Sequence, residues 1–239
     1  SQKFDVYVNT AANLTNYDGQ FPHLELVSID ASSPVSGTFP LLGSPQSINA
    51  SLVVGSALGR RSSYDPGQAV TRYINDTNVR FSGITMTANS KEDLTLSNLI
   101  WRQAGTSGGG DVANVVTIAD GKSYPTTVRG RDYISFFEPG IVIKKGQTID
   151  VYVQGDLQVS GANRTIKFDI YDNTDDIGLS GNTYEMGVGL SPDANTDVAG
   201  VESAFITSDG TTDGDTGSPF YSGPTITISG GAVNLIGKN

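Results

Sequence analysis

Ile-Val-Ile-Lys-Lys-Gly-Gln-Thr-Ile-Asp-Val-Tyr-Val-Gln-Gly, residues 141–155, is the stretch from which the fold can be read. A Lys-Gly turn joins an apolar run to an alternating one. Ile149, Val151 and Val153 share one face, while Asp150, Tyr152 and Gln154 share the other, the period of two expected of a half-buried strand. Outward from it, similar signals recur. Val79–Met86 is apolar on both faces, Leu94–Trp101 alternates, and Val112–Ala119 follows a Gly108-Gly109-Gly110 loop. Asp120-Gly121 is a type I′ hairpin signal. Tyr133–Phe137 and Ile166–Tyr171 extend the series, with turn signals roughly every 8–12 residues. The expected fold is all-β: antiparallel, Ig-like β-sandwich modules.

The opening of the chain echoes this stretch. Gln2, Asp5, Val6, Tyr7 and Val8 lie over Gln147, Asp150, Val151, Tyr152 and Val153, with Phe4 in place of Ile149. Leu24–Ile29 then matches Ile166–Tyr171 in alternation, and Ser36-Gly37 answers Ser180-Gly181. Read as an internal repeat, this order predicts a partial module over 1–55, a linker over 56–67, and a fuller module over 68–239 with a loop insertion at about 187–218. Chance similarity among strands rich in Val and Tyr is the competing explanation. A partial module would have open sheet edges and need a neighbour to cover them. The expected joint is a pair of strands: Phe4, Val6 and Val8 as acceptor edge, and Thr225, Ile226, Ile228, Val233 and Leu235 as donor.

Composition narrows the function classes. The chain has 239 residues, 29 of them Gly, and only 17% are charged, which suits a turn-rich β protein rather than long helices. Its formal net charge of −10 argues against nucleic acid and anionic lipid as partners. No apolar run is long enough to cross a membrane as a helix. There is no Cys, so neither disulfides nor thiolate chemistry enter.

Phe81–Leu99, Ile141–Leu157 with its Lys-Gly-Gln and Gly-Asp turns, and Ser36–Gly43 together resemble a β-sandwich repeat. It is the repeat of very large predicted cell-surface proteins of candidate phyla radiation bacteria (Patescibacteria). The resemblance implies a surface-layer-like or adhesive component, at the cell surface and extracellular, and carries no catalytic residues with it.

The residues themselves offer little for catalysis. The single His, His23, sits beside Pro22, so any triad or His-ligated metal would rest on that imidazole alone. Glu92-Asp93 and Asp175-Asp176 are acidic pairs, but neighbours in a strand or loop point apart, which a glycosidase pair cannot do. Calcium has the best case among ions. Asp172, Asp175 and Asp176 share one Gly-ended loop, and Asp209, Asp213 and Asp215 share another, although neither has EF-hand spacing and both also read as solvated acidic loops. Trp101, Tyr133, Phe136 and Phe137 read either as a sugar-stacking platform or as an aromatic core cluster. Asn13, Asn49, Asn75 and Asn163 head N-glycosylation acceptor patterns. Arg60-Arg61 is either a solvated pair or a site open to proteolysis.

The reading as a whole is a non-enzymatic extracellular structural protein. Its modules would pair strands with other copies of the same polypeptide into a homo-oligomeric surface layer or filament. The alternative is an adhesin or carbohydrate-binding module that takes glycans.

Overall fold

The computed structural model describes residues 13–50, 52–193, 202–205 and 218–230. By contact density the chain divides into two units, Ser1–Val53 and Val54–Asn239.

In the first unit, β1 (Glu25–Leu26) pairs antiparallel with β2 (Leu41–Leu42). Main-chain bonds prolong the ribbon on one side: Gly43 N–H donates to Leu24 O, Gln46 N–H to Pro22 O, and Ile48 N–H to Gln20 O. Among the described residues this unit has no buried side chain.

Among its described residues the second unit is all β apart from two short 3-10 turns, Gly109–Asp111 and Val159–Gly161. In chain order it contains β3 (Ala57–Arg61), β4 (Val70–Tyr73), β5 (Val79–Ala88), β6 (Leu94–Ala104), β7 (Val112–Ala119), β8 (Lys122–Pro125), β9 (Thr127–Arg129) and β10 (Asp132–Ile143). Then come β11 (Thr148–Leu157), β12 (Thr165–Asp169), β13 (Ile177–Gly181), β14 (Leu190–Pro192), β15 (Ala204–Phe205), β16 (Tyr221–Ser222) and β17 (Ile226–Ser229). One sheet runs β4-β17-β12-β6-β10-β9, with β13 also paired to β6; the other runs β14-β3-β5-β11-β7-β8. Pairing within them is antiparallel except for β17 with β4 and β14 with β3.

The two sheets face each other over one core, the expected sandwich. Ile149, Val151 and Val153 of β11 point inward, and β5 is buried on both faces through its middle. Phe81 of β5 meets Phe168 of β12 with ring centroids 5.0 Å apart. Trp101 of β6 is fully buried and its indole N–H donates to the Thr117 hydroxyl of β7 at 3.1 Å, so the largest side chain brings its polar atom to a partner. Asp120 and Gly121 both take positive φ, 48° and 74°, as a type I′ turn between β7 and β8 requires.

Three expectations from the sequence change. The 56–67 segment is not a linker: β3 lies inside a sheet, between β14 and β5. Gly59 is there for close approach rather than flexibility. A Cβ on Gly59 would meet Leu190 and Phe205 side-chain carbons at 2.9 Å. Those partners show the second change. The described parts of 187–218 contribute β14, β15 and the buried Val188, Leu190 and Phe205, so they belong to the sandwich rather than to an excursion from it. Third, the proposed repeat does not hold over its described part. Ile166, Phe168 and Ile170 are fully buried, whereas their counterparts Leu24, Leu26 and Ser28 are exposed, and Ser36-Gly37 lies outside any strand while Ser180-Gly181 ends β13. Alternation alone sets two faces; what covers them depends on neighbours the pattern does not name.

Candidate functional site

The expected donor strand is not an edge. β17 has β12 on one side and β4 on the other, and Ile226 and Ile228 are fully buried. Thr225 gives its carbonyl to Val70 N–H at 3.1 Å. These three residues are committed to the sandwich's own hydrogen bonds and core. Phe4, Val6, Val8, Val233 and Leu235 lie outside the described residues.

The free side of β13 is bonded by the 186–188 segment, so the outer strands of the two sheets are β4, β9, β14 and β8. Each is short, and each carries a feature that discourages pairing with another chain. β8 and β14 end in Pro125 and Pro192, and β9 carries Arg129. In β4 the Tyr73 N–H is already taken by the Asp76 carboxylate at 2.9 Å.

The β1–β2 ribbon has a different character. Leu26 stands opposite Leu41, and Leu24, two residues before Leu26, shares its face. All three are exposed, as are Phe21 (66%), Val27 (67%) and Leu42 (69%). In this register Glu25 and Leu42 form the pair whose main-chain groups point away from each strand's partner, so both outer edges can still accept a strand. The sequence pattern marked 24–29 as an alternating strand; it carried no signal that, among the described residues, both of its faces are exposed.

The acidic groups are held by the chain's own donors. Asp172 accepts from Thr174 N–H at 2.6 Å, the Thr174 hydroxyl at 2.7 Å and Asp175 N–H at 2.9 Å. Burial raises its pKa, but these bonds outweigh that and leave it lowered. Asp176 accepts from Tyr171 and Asp172 N–H groups, and there burial wins and raises the pKa. Asp175 is exposed. Among the described residues no three His, Cys, Asp or Glu side chains come together to hold a metal ion. Asp209, Asp213 and Asp215 lie outside the described residues.

Glu92 is enclosed by main chain. Its carboxylate accepts from Gly55 N–H at 2.6 Å, Thr183 N–H at 2.9 Å and Tyr184 N–H at 3.3 Å. The Gly55 bond is the largest cause of its lowered pKa, followed by that of Thr183. Asp93 is lowered chiefly by Lys144, whose ammonium lies 2.9 Å away. The two carboxylates therefore bind different loops and do not face one another. His23 pairs with Glu25 at 3.0 Å, both exposed.

Trp101, Tyr133 and Phe137 are core residues, so only Phe136 of the proposed aromatic platform reaches solvent. Tyr133 packs edge-on against Phe168 and its hydroxyl donates to Gln103 at 3.1 Å. Arg60 and Arg61 sit in a strand paired on both sides, with Arg60 bonded to Asp193, which favours the solvated pair over the cleavage site. Among the described residues no helix is long and apolar enough to cross a membrane. The chain matches no protein-family model and no curated protein.

Proposed function

We propose that this is a non-enzymatic extracellular structural protein whose copies join by strand pairing into a surface layer or filament. The observation that carries the reading is the β1–β2 ribbon: Leu24, Leu26 and Leu41 are exposed on one face, and neither outer edge pairs with another strand among the described residues. An isolated two-stranded ribbon is marginal in water, and an apolar face of this kind is covered in a stable protein. Strand addition supplies a cover through main-chain hydrogen bonds and alternate side chains without a dedicated pocket. The short, proline-ended or charged edges of the sandwich favour the ribbon as the joint. A net charge of −10 keeps the remaining surfaces apart. The resemblance to surface-layer-like repeats points to the same role.

The test is sedimentation and electron microscopy of the full chain beside Leu26→Lys and Leu41→Lys. Ordered assemblies form in the parent and are lost in both variants, with the sandwich's thermal transition unchanged. Assemblies of equal extent in the variants, or a parent that stays monomeric at every concentration, would overturn the reading.

A further inference from the structure

We propose that the cleft between Arg72 and Arg80 binds a carboxylated sugar, a uronic acid residue of an acidic polysaccharide. This goes beyond assembly and uses a different surface. The cleft is a shallow, solvent-open depression of about 610 Å³ lined by Arg72, Asn75, Asp76, Thr77, Val79 and Arg80, with Asn78 between them. It is formed where the chain crosses from β4 in one sheet to β5 in the other, turning through positive φ at Asn75 (66°) and Asn78 (53°).

The crossover is braced rather than loose. Asp76 accepts Tyr73 N–H, Asn78 N–H donates to Asp156 at 2.9 Å, and Gln154 donates to the Asn78 side chain at 3.3 Å. The Arg80 guanidinium lies 4.8 Å from the Tyr64 ring centroid and 5.6 Å from that of Tyr152, and the two rings stack at 4.6 Å. The two rings restrict the Arg80 side chain, which lowers the ordering cost of drawing it onto a ligand.

Charge selects the ligand class. Neither Arg72 nor Arg80 has an ion-pair partner among the described residues, in a chain of net charge −10. Guanidinium groups match carboxylates in a planar, two-bond geometry. Asp76 in the same wall repels a doubly charged phosphate but accepts hydroxyl donors. The Asn75 amide and Thr77 hydroxyl, both exposed, add donors and acceptors of the kind a sugar ring engages. One carboxylate among several hydroxyls satisfies the whole set, and a uronic acid residue has that pattern.

The experiment is calorimetric titration of the full chain with polygalacturonate, dextran and inorganic phosphate. Polygalacturonate binds, and dextran and phosphate do not. Arg72→Gln and Arg80→Gln each weaken binding about tenfold or more. Arg129→Gln, an exposed guanidinium on β9, leaves it unchanged. Thermal melting of each variant certifies the fold, and Arg80→Lys, which keeps the charge, gives intermediate affinity should Arg80→Gln fail to fold. The proposal is overturned by a parent that does not bind polygalacturonate, by an equal loss in Arg129→Gln, or by phosphate binding as tightly as the polymer.

Discussion

The Tyr221 hydroxyl donates to the Asp65 carboxylate at 2.9 Å, tying the turn after β3 to β16 across 156 positions of sequence. Asp65 also accepts Gly67 N–H at 2.7 Å, Gly83 N–H at 2.9 Å and the Ser203 hydroxyl at 2.8 Å. Every donor that converges there is buried. Burial, and then the neighbouring Asp65 charge, push the Tyr221 pKa well above its usual value, so the phenol stays protonated and keeps donating. Tyr221→Phe removes one of four donors and is predicted to cost about 1–3 kcal/mol. Asp65→Ala strands the Gly67 and Gly83 N–H groups and the Ser203 hydroxyl, leaving Tyr221 only the Gly83 carbonyl at 3.1 Å, and costs more than that. In urea unfolding the double variant should fall well short of the two single losses added together, because the residues share one network; full additivity would contradict the network.

This network also marks the limit of what could be read in advance. The strands of the sandwich were legible because Leu94–Trp101, Val112–Ala119 and Ile149–Val153 each carry period-two apolar spacing. Asp65-Pro66-Gly67 carries the signature of an exposed turn, and nothing local says that its carboxylate is buried by Ser203 and Tyr221. Gly55 and Gly59 likewise read as flexibility, whereas each admits a close neighbour, Glu92 in one case and Leu190 with Phe205 in the other. The exposed face at Leu24, Leu26 and Leu41 and the cleft at Arg72 and Arg80 depend on which layers meet, information that residue spacing does not contain.

Glu92 should impose an acid limit on stability. Its three N–H donors stabilise the ionised form, and its folded pKa lies below the ordinary glutamate value of 4.5. The stabilisation is therefore complete above that value and is lost as the pH falls through the folded pKa, where protonation weakens all three bonds. Asp93 and Asp111 are lowered as well and act in the same direction, while burial raises Asp169 and Asp176, which act in the opposite one. A substitution at Glu92 separates its share from theirs. Glu92→Gln is predicted to be less stable than the parent near neutral pH, with the gap narrowing from about pH 5 downward. Urea midpoints measured across that range check this; a gap that stays constant into acid would show that the charge is not what matters.

β17 and the ribbon make opposite predictions for the assembly joint. Ile226 and Ile228 are fully buried, and their strand is hydrogen-bonded on both sides. Truncating either leaves a cavity between two sheets that are held elsewhere, so the surroundings cannot collapse to fill it. Ile226→Ala and Ile228→Ala are each predicted to cost about 2–5 kcal/mol, read as a lowered urea midpoint of the isolated chain. Leu41→Lys replaces an exposed apolar side chain in the first unit and should leave that midpoint within about 0.5 kcal/mol of the parent. Assembly should respond the other way: it persists in Ile228→Ala under conditions where that variant is still folded, and it fails in Leu41→Lys. If instead the β17 variants melt like the parent and lose only assembly, the strand is contributed between copies and the ribbon is not the joint.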